Sequence, residues 1–281
     1  MIMPSNDVAQ NFLNQKQIES FDEKGFLIAD FGFNPVDLDT IVSSLYRHFE
    51  IDPVSPARVQ DAWKFIDEVR RIAVNSNVRN SLQQLYGREA KPFQTLNFPI
   101  GTEQKPHSDT IHFNTEPQGF MAGVWVALED IDRDNGPLIY YPGSHKLAEY
   151  TMQDFGLNPT VTSYPDYEKA IQRLLEEENI EPHYATIKKG EALIWHANLL
   201  HGGAPRLDMN RSRYSQVTHY FFADCKYYTP MLGAKAKTTL RLHQWIPIDK
   251  PYSKLRNLTS LQGIRTLLSR LKRWLQRPDN E

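Results

Sequence analysis

Between residues 93 and 224 the chain carries five short runs, FQTLNFPI, GFMAGVWVALEDI, PLIYYPG, ALIWHANLL and RYSQVTHYFFAD. Each is dense in aromatic and β-branched residues and is bounded by Gly, Pro or Asp. Such side chains suit a pleated, half-buried surface, and turn formers at both ends confine each run to one strand. No linker-like stretch interrupts 93–250, so the strands belong to one body, a mainly β jelly roll or barrel with helical additions. Upstream, over 15–92, the pattern is helical. QKQIESFDEK (15–24) stops at Gly25 and is followed by a strand, FLIAD; helices are then expected over 36–48 and 61–86, separated by the proline-bearing loop IDPVSPARV. A further helix is expected over 166–178. It falls inside 144–190, a connection long enough to form a lid that shapes substrate choice.

The last patterned stretch is 254–277. Leu258, Leu261, Ile264, Leu268, Leu271 and Leu275 recur at helical spacing among seven Lys or Arg side chains. This predicts a basic amphipathic helix that packs on the barrel or on a second subunit, lies on a membrane surface, or meets an acidic partner. The organisation expected is thus a single domain over 1–281: an N-terminal helical layer (15–92), a jelly-roll core (93–250) and a C-terminal amphipathic helix (254–277).

Composition narrows the class of function. The net charge of −2 gives no global pull toward nucleic acid. A single cysteine, Cys225, excludes an intrachain disulfide. The N-terminus lacks the basic start and apolar stretch of a signal peptide, and no run of about 18 apolar residues is present. These features lead us to expect a cytoplasmic protein.

Chemistry concentrates in two segments. In KPHSDTIHF (105–113), His107 and Asp109 are two residues apart, so on a strand both would face one point. Imidazole with carboxylate suits a borderline metal such as iron(II). With nine histidines in the chain, an H-x-D pair arises by chance about half the time, so the pair means little alone. The second segment, residues 192–222, supplies what is missing. His201 follows an apolar strand and precedes Gly202 and Gly203, which let the backbone pass close to something bulky. Arg213 then begins a strand face shared with Ser215, Val217 and His219. A guanidinium aimed into a β-barrel calls for an anion, such as a ligand carboxylate or a structural acid. Two histidines and one carboxylate leave three positions open on an octahedral metal, room for a chelating 2-oxo acid and dioxygen.

At this point the sequence resembles the phytanoyl-CoA dioxygenase family of Fe(II)/2-oxoglutarate oxygenases. IESFDEKGFLIAD (18–30) is similar to that family's N-terminal helix and strand. HSD matches its H-x-D, and GVWVALEDIDRDNGPLIYYPGSHK (123–146) resembles its most recognisable block. HGG at 201–203 with the following R-x5-H matches its distal motif. The resemblance implies a double-stranded β-helix, Fe(II) held by His107, Asp109 and His201, and 2-oxoglutarate and O2 as cosubstrates. It also implies Arg213 on the far carboxylate of 2-oxoglutarate and Trp125 lining that pocket. Gly203 stands where many members carry a serine that helps bind the cosubstrate. Because a carboxylate is retained at Asp109, oxygenation is implied rather than halogenation.

Other polar residues near these motifs are weighed as substrate contacts: His112, five residues past His107, and Gln94 and Asn97 on the strand before it. His196 is a rival to His201 that reads better as structural, and the acidic turn Asp130–Asp132–Asp134–Asn135 reads as solvated rather than calcium-binding. The expected function is hydroxylation or oxidative dealkylation of a small polar, amino-acid-like or secondary metabolite, since a hydroxyl placed on carbon next to nitrogen collapses with C–N cleavage. The alternatives are an acyl-CoA or carrier-bound substrate, a non-catalytic binding protein on the same fold, and a metal enzyme of this shape that uses no 2-oxo acid.

Overall fold

Asn14 opens the first helix, α1 (Gln15–Lys24). Its side chain accepts from the Gln17 amide, while its own amide donates to the Gln17 side chain, so two otherwise orphaned donors are satisfied. Gly25 ends the helix at φ 79°, a left-handed conformation that only glycine adopts without strain. The chain then forms β1 (Phe26–Asp30) and α2 (Pro35–Ile51). The computed structural model describes residues 12–51, 58–233 and 244–249. The helix expected at 254–277 and most of the IDPVSPARV loop lie outside these residues.

After the short strand β2 (Val59–Gln60), the helix expected over 61–86 is broken into three pieces. They are a 3-10 turn at Ala62–Lys64, α3 (Asp67–Ala73) and α4 (Ser76–Tyr86). Asp61, in left-handed conformation, precedes the first piece and turns its carboxylate onto Trp63 Nε1 and Lys64. Asn75 accepts from the Val78 amide and starts the third. Side chains that compete for backbone and neighbouring donors in this way favour helix ends over helix interiors.

The remaining strands are β3 (Ala90–Phe98), β4 (Asn114–Glu116), β5 (Met121–Ala127) and β6 (Leu138–Tyr140). After the helix α5 (Tyr164–Glu177) come β7 (His183–Tyr184), β8 (Glu191–His196), β9 (His201–Gly203), β10 (Ser215–Phe222) and β11 (Lys226–Tyr228). All pairings are antiparallel. One sheet runs β1-β8-β5-β10-β3-β2, a second β7-β6-β9, and β11 pairs with β4. The fold is therefore mainly β, with helices attached.

The two faces of the six-stranded sheet have different partners. Val124, Val126, Ala192, Ile194, Tyr220 and Phe222 share one apolar cluster with Phe21 of α1, Leu38 and Ile41 of α2, Val69 of α3 and Leu82 of α4. The alternate residues Trp125, Leu193, Trp195 and Val217 face Tyr140, Ile187 and Leu199 on the other side. Period-two alternation along each strand thus divides its residues between helices and interior. Helix α5 forms a third cluster: Tyr167, Ile171, Leu174 and Leu175 pack with Ile111 and Leu200, which flank the two metal-motif segments. The 144–190 segment is therefore anchored against the parts of the chain that carry His107, Asp109 and His201. Among the described residues no helix is long and apolar enough to cross a membrane.

Candidate metal centre

The two motif segments are joined by an antiparallel bridge. The His107 amide donates to the His201 carbonyl at 2.9 Å and the His201 amide returns the bond at 3.0 Å. His107 is thus held as a bridge residue, and Asp109 opens a 3-10 turn, Asp109–Ile111, rather than continuing a strand. The expectation that alternation on one strand would aim both ligands is corrected by this. The Asp109 amide is tied to the Ala197 carbonyl instead, at 3.1 Å. Gly202 and Gly203 are needed because of this segment, not because of a bulky ligand. A Cβ at Gly202 would lie 2.6 Å from the Gln104 carbonyl oxygen, and one at Gly203 would lie 2.8 Å from the Glu103 nitrogen.

His107, Asp109 and His201 each present one donor atom, and the three atoms lie within 4.8 Å of one another. All three residues are buried. Their hydrogen bonds prepare them as ligands. His107 Nδ1 faces the Lys105 carbonyl at 2.9 Å and His201 Nδ1 faces the Leu199 carbonyl at 2.9 Å. A carbonyl can only accept, so both Nδ1 atoms carry the proton and both Nε2 atoms keep a lone pair. Asp109 Oδ2 accepts from Trp195 Nε1 at 2.8 Å, while Oδ1 lies 3.9 Å from His201 Nε2. Burial and the neighbouring His201 push the His107 imidazole down to about 3, so it is neutral at ordinary pH. Burial alone would raise the Asp109 carboxyl, but His201, His219, His107 and the Trp195 hydrogen bond hold it below the usual range. The set is two imidazoles and one carboxylate, which fits a divalent metal of iron(II) type.

Trp195 escaped the sequence reading, though it fixes Asp109. It lies opposite Gly123 in the β5–β8 register, and a Cβ at Gly123 would sit 2.1 Å from Trp195 Cε2. The legible signal was a tryptophan facing a glycine across two strands, visible only once the register is known.

The triad opens into a cavity of about 430 Å³. Trp125 and Arg213 line it, as expected, together with Phe98, Leu138 and Val217. Arg213 is 4% exposed. Its guanidinium lies 5.5 Å from the Trp125 ring and bonds to the Ser215 hydroxyl, yet it forms no ion pair among the described residues and its Nε has no partner. Burial pushes it down to about 10, still charged at neutral pH. Arg211, by contrast, lies outside and pairs with Asp132. Thr102 also lines the cavity, and its Oγ1 is 3.0 Å from the point a Gly203 Cβ would occupy.

Gln94 and His112 both reach the cavity. Gln94 Oε1 accepts from His219 Nδ1 at 2.9 Å, and His112 Nε2 lies 3.2 Å from the hydroxyl of Tyr164 on α5. Asn97 does not reach it. On β3, Gln94, Leu96 and Phe98 face the cavity, and Asn97 points the opposite way, fully buried, with its Nδ2 on Gln216 Oε1 at 3.3 Å. Its assignment as a substrate contact is corrected by the alternation of the strand. His196 is structural: its Nδ1 accepts from the Asn198 amide and its ring stacks on Tyr86. The acidic turn is held by Lys188, Arg211 and the Asn135 side chain. Gln104, Tyr164 and Arg58 line the cavity without having been singled out by any motif.

The phytanoyl-CoA dioxygenase (PhyH) family model matches residues 12–212, well over half of the chain. Phytanoyl-CoA dioxygenase domain-containing protein 1 of Danio rerio is 30% identical over 137 residues, 47% of this chain and 43% of that protein. The peroxisomal phytanoyl-CoA dioxygenase of Rattus norvegicus is 31% identical over 126 residues, 43% of this chain and 34% of that protein. The aligned part therefore spans less than half the length of these relatives. Among solved structures, the epimerase SnoN in complex with Fe3+, alpha ketoglutarate and nogalamycin RO superimposes with a TM-score of 0.61 at 18% identity, covering 84% of this chain and 91% of that one. EctD from S. alaskensis with bound Fe gives a TM-score of 0.61 at 17% identity, covering 79% and 82%. At these identities the likeness establishes the fold.

Proposed function

The chain belongs to the phytanoyl-CoA dioxygenase family, and from that membership we propose that it is an Fe(II)- and 2-oxoglutarate-dependent dioxygenase of a small molecule. The single observation that carries this is Arg213. A buried guanidinium that forms no ion pair among the described residues, with its Nε unpartnered, is costly unless an anionic ligand completes it. It lines the same cavity as the His107–Asp109–His201 cluster. A 2-oxo diacid satisfies both, one end at the metal and the other at Arg213. SnoN and EctD have been crystallised with the same cosubstrate. We read the six- and three-stranded sheets as the two halves of a double-stranded β-helix, with α1–α4 as its N-terminal helical layer.

His107, Asp109 and His201 would hold the iron. When bound, Fe(II) supplies activation of O2 coupled to oxidative decarboxylation of 2-oxoglutarate, so that one oxygen atom enters the substrate and the other enters succinate as CO2 leaves. The protein's own groups position and shield. The Lys105 and Leu199 carbonyls lock both imidazoles with Nε2 inward, and Trp195 fixes the Asp109 carboxylate. Arg213 would clamp the far carboxylate of 2-oxoglutarate by charge-assisted hydrogen bonds. The Thr102 hydroxyl stands beside Gly203, where it can replace the serine that relatives use. Phe98, Trp125, Leu138 and Val217 give that end apolar walls. Tyr164 brings α5 to the substrate side, so the 144–190 segment contributes to substrate choice. The reaction, hydroxylation or oxidative dealkylation, follows from which carbon the cavity presents.

Anaerobic addition of Fe(II) and then 2-oxoglutarate tests the reading. The wild-type protein should develop a weak visible charge-transfer band that His107→Ala and Arg213→Gln lose. A wild-type protein that binds iron but gives no band with 2-oxoglutarate refutes the cosubstrate.

A further inference from the structure

The cavity has a charge that the cosubstrate does not use. Among the described residues, its charged lining apart from histidines consists of Asp109, Arg213 and Arg58. A divalent metal and Arg213 are balanced by Asp109 and the two carboxylates of 2-oxoglutarate. Arg58 is then left over. It lies at the exposed end of the cavity, one residue before β2, and makes no hydrogen bond or ion pair among the described residues. Among the described residues, no acidic side chain other than the metal ligand Asp109 lines the cavity. A cation in that setting repels cationic substrates and attracts anions.

Neutral donors accompany it. Gln94 turns its Oε1 to His219 Nδ1, which leaves the Nε2 of that amide as a donor for the cavity. Gln60 adds a second amide two residues from Arg58. The lining also carries the Tyr164 hydroxyl against His112. The whole cavity, about 430 Å³, must hold both cosubstrate and substrate, at the lower end of ligand-pocket sizes, so neither is large.

We propose that the substrate of this protein is a small carboxylate, its anionic group met by Arg58 at the mouth and its polar body held between Gln94 and the Tyr164–His112 pair. This rests on the oxygenase reading above and deepens it, because it makes carboxylate recognition by a residue outside the metal and cosubstrate sites the basis of selection.

The test uses the full chain loaded with Fe(II) and saturating 2-oxoglutarate. A panel of small amino and N-acyl amino acids, each paired with its methyl ester, is scored for stimulated succinate formation and for quenching of tryptophan fluorescence, since Trp125 and Trp195 line the cavity. Acids should act at concentrations about tenfold lower than their esters, as expected for loss of a hydrogen bond between charged groups. Arg58→Gln should abolish that difference while leaving the dissociation constant for 2-oxoglutarate unchanged, and Arg58→Lys should keep part of it. Esters that act as well as acids, an Arg58→Gln protein that still prefers acids, or a panel in which no acid acts on the wild type would each overturn the proposal. Failure of the wild type to bind 2-oxoglutarate would instead overturn the oxygenase reading, and with it the basis of this one.

Discussion

Replacing Trp195 by Phe removes one hydrogen bond from the candidate metal centre and leaves every ligand in place. The bond runs from Nε1 to Asp109 Oδ2 at 2.8 Å, between two buried residues. A hydrogen bond to a charged group contributes about 1.5–3 kcal/mol, which corresponds to about ten- to hundredfold in an equilibrium constant. Without the donor, Oδ2 loses a partner that helps hold the Asp109 carboxyl below its usual range. The carboxylate is then less firmly aimed and more readily protonated, so metal must compete with a proton at higher pH than before. Metal affinity, titrated anaerobically with Fe(II), should therefore fall by about ten- to hundredfold, more at pH 6 than at pH 8. Smaller ring volume will also lower the melting temperature, so near-ultraviolet circular dichroism must first show a folded protein. Gly123→Ala approaches the same bond from the other side: its Cβ would sit 2.1 Å from Cε2 of the indole, which must move, while Trp195 itself is untouched. The two variants should agree in the sign and pH dependence of the metal effect. Wild-type affinity in both, with the proteins folded, would refute the role assigned to Trp195.

Arg213→Met should raise the KM for 2-oxoglutarate about a hundredfold in steady-state assays, and the metal-free variant should unfold at higher denaturant concentration, by about 1–4 kcal/mol, because an unpaired buried cation is replaced by an apolar chain of similar length. Asn97→Ala should leave both Michaelis constants unchanged and cost about 1–2 kcal/mol of stability in urea titration, since Gln216 Oε1 loses its donor. His196 is pushed down to about 4 by burial, from an unfolded value of 6.5. The unfolded chain thus binds the extra proton first, so stability present above pH 6.5 is lost as pH falls toward 4, by about 3 kcal/mol for this one residue, and His196→Gln should flatten that part of the stability–pH curve.

Much of the fold was legible because its signals are local. Gly25 after QKQIESFDEK and the glycine- and proline-bounded aromatic runs fall at the observed ends of α1, β5 and β6 to within a few residues. What was lost inside 61–86 was also local. Asn75 is a side chain that bonds to a nearby amide, and it marks a helix start that apolar periodicity runs straight through. The partition of the sheet's two faces was only half legible. Val124 and Val126 alternate with Trp125, but nothing in β5 itself says which set meets the helices, since both are apolar.

The ligands and Asn97 make opposite cases about one rule. Alternation on a strand brought His107 and Asp109 together for a wrong reason, since Asp109 sits on a 3-10 turn and is aimed by its amide bond to Ala197 and by Trp195. The same rule, applied strictly, would have rejected Asn97. Gln94 and Asn97 are three residues apart and cannot share a face unless a bulge lies between them. The bulge of β3 falls at Phe93, where the partner strand passes from His219 opposite Gln94 to Tyr220 opposite Pro92, so it lies before both residues and leaves their alternation intact. Spacing is therefore informative here within an element whose regularity is known. Between elements it is the backbone bridge from His107 to His201 that decides which side chains meet, and a motif shows that bridge only through the small residues, Gly202 and Gly203, that permit it.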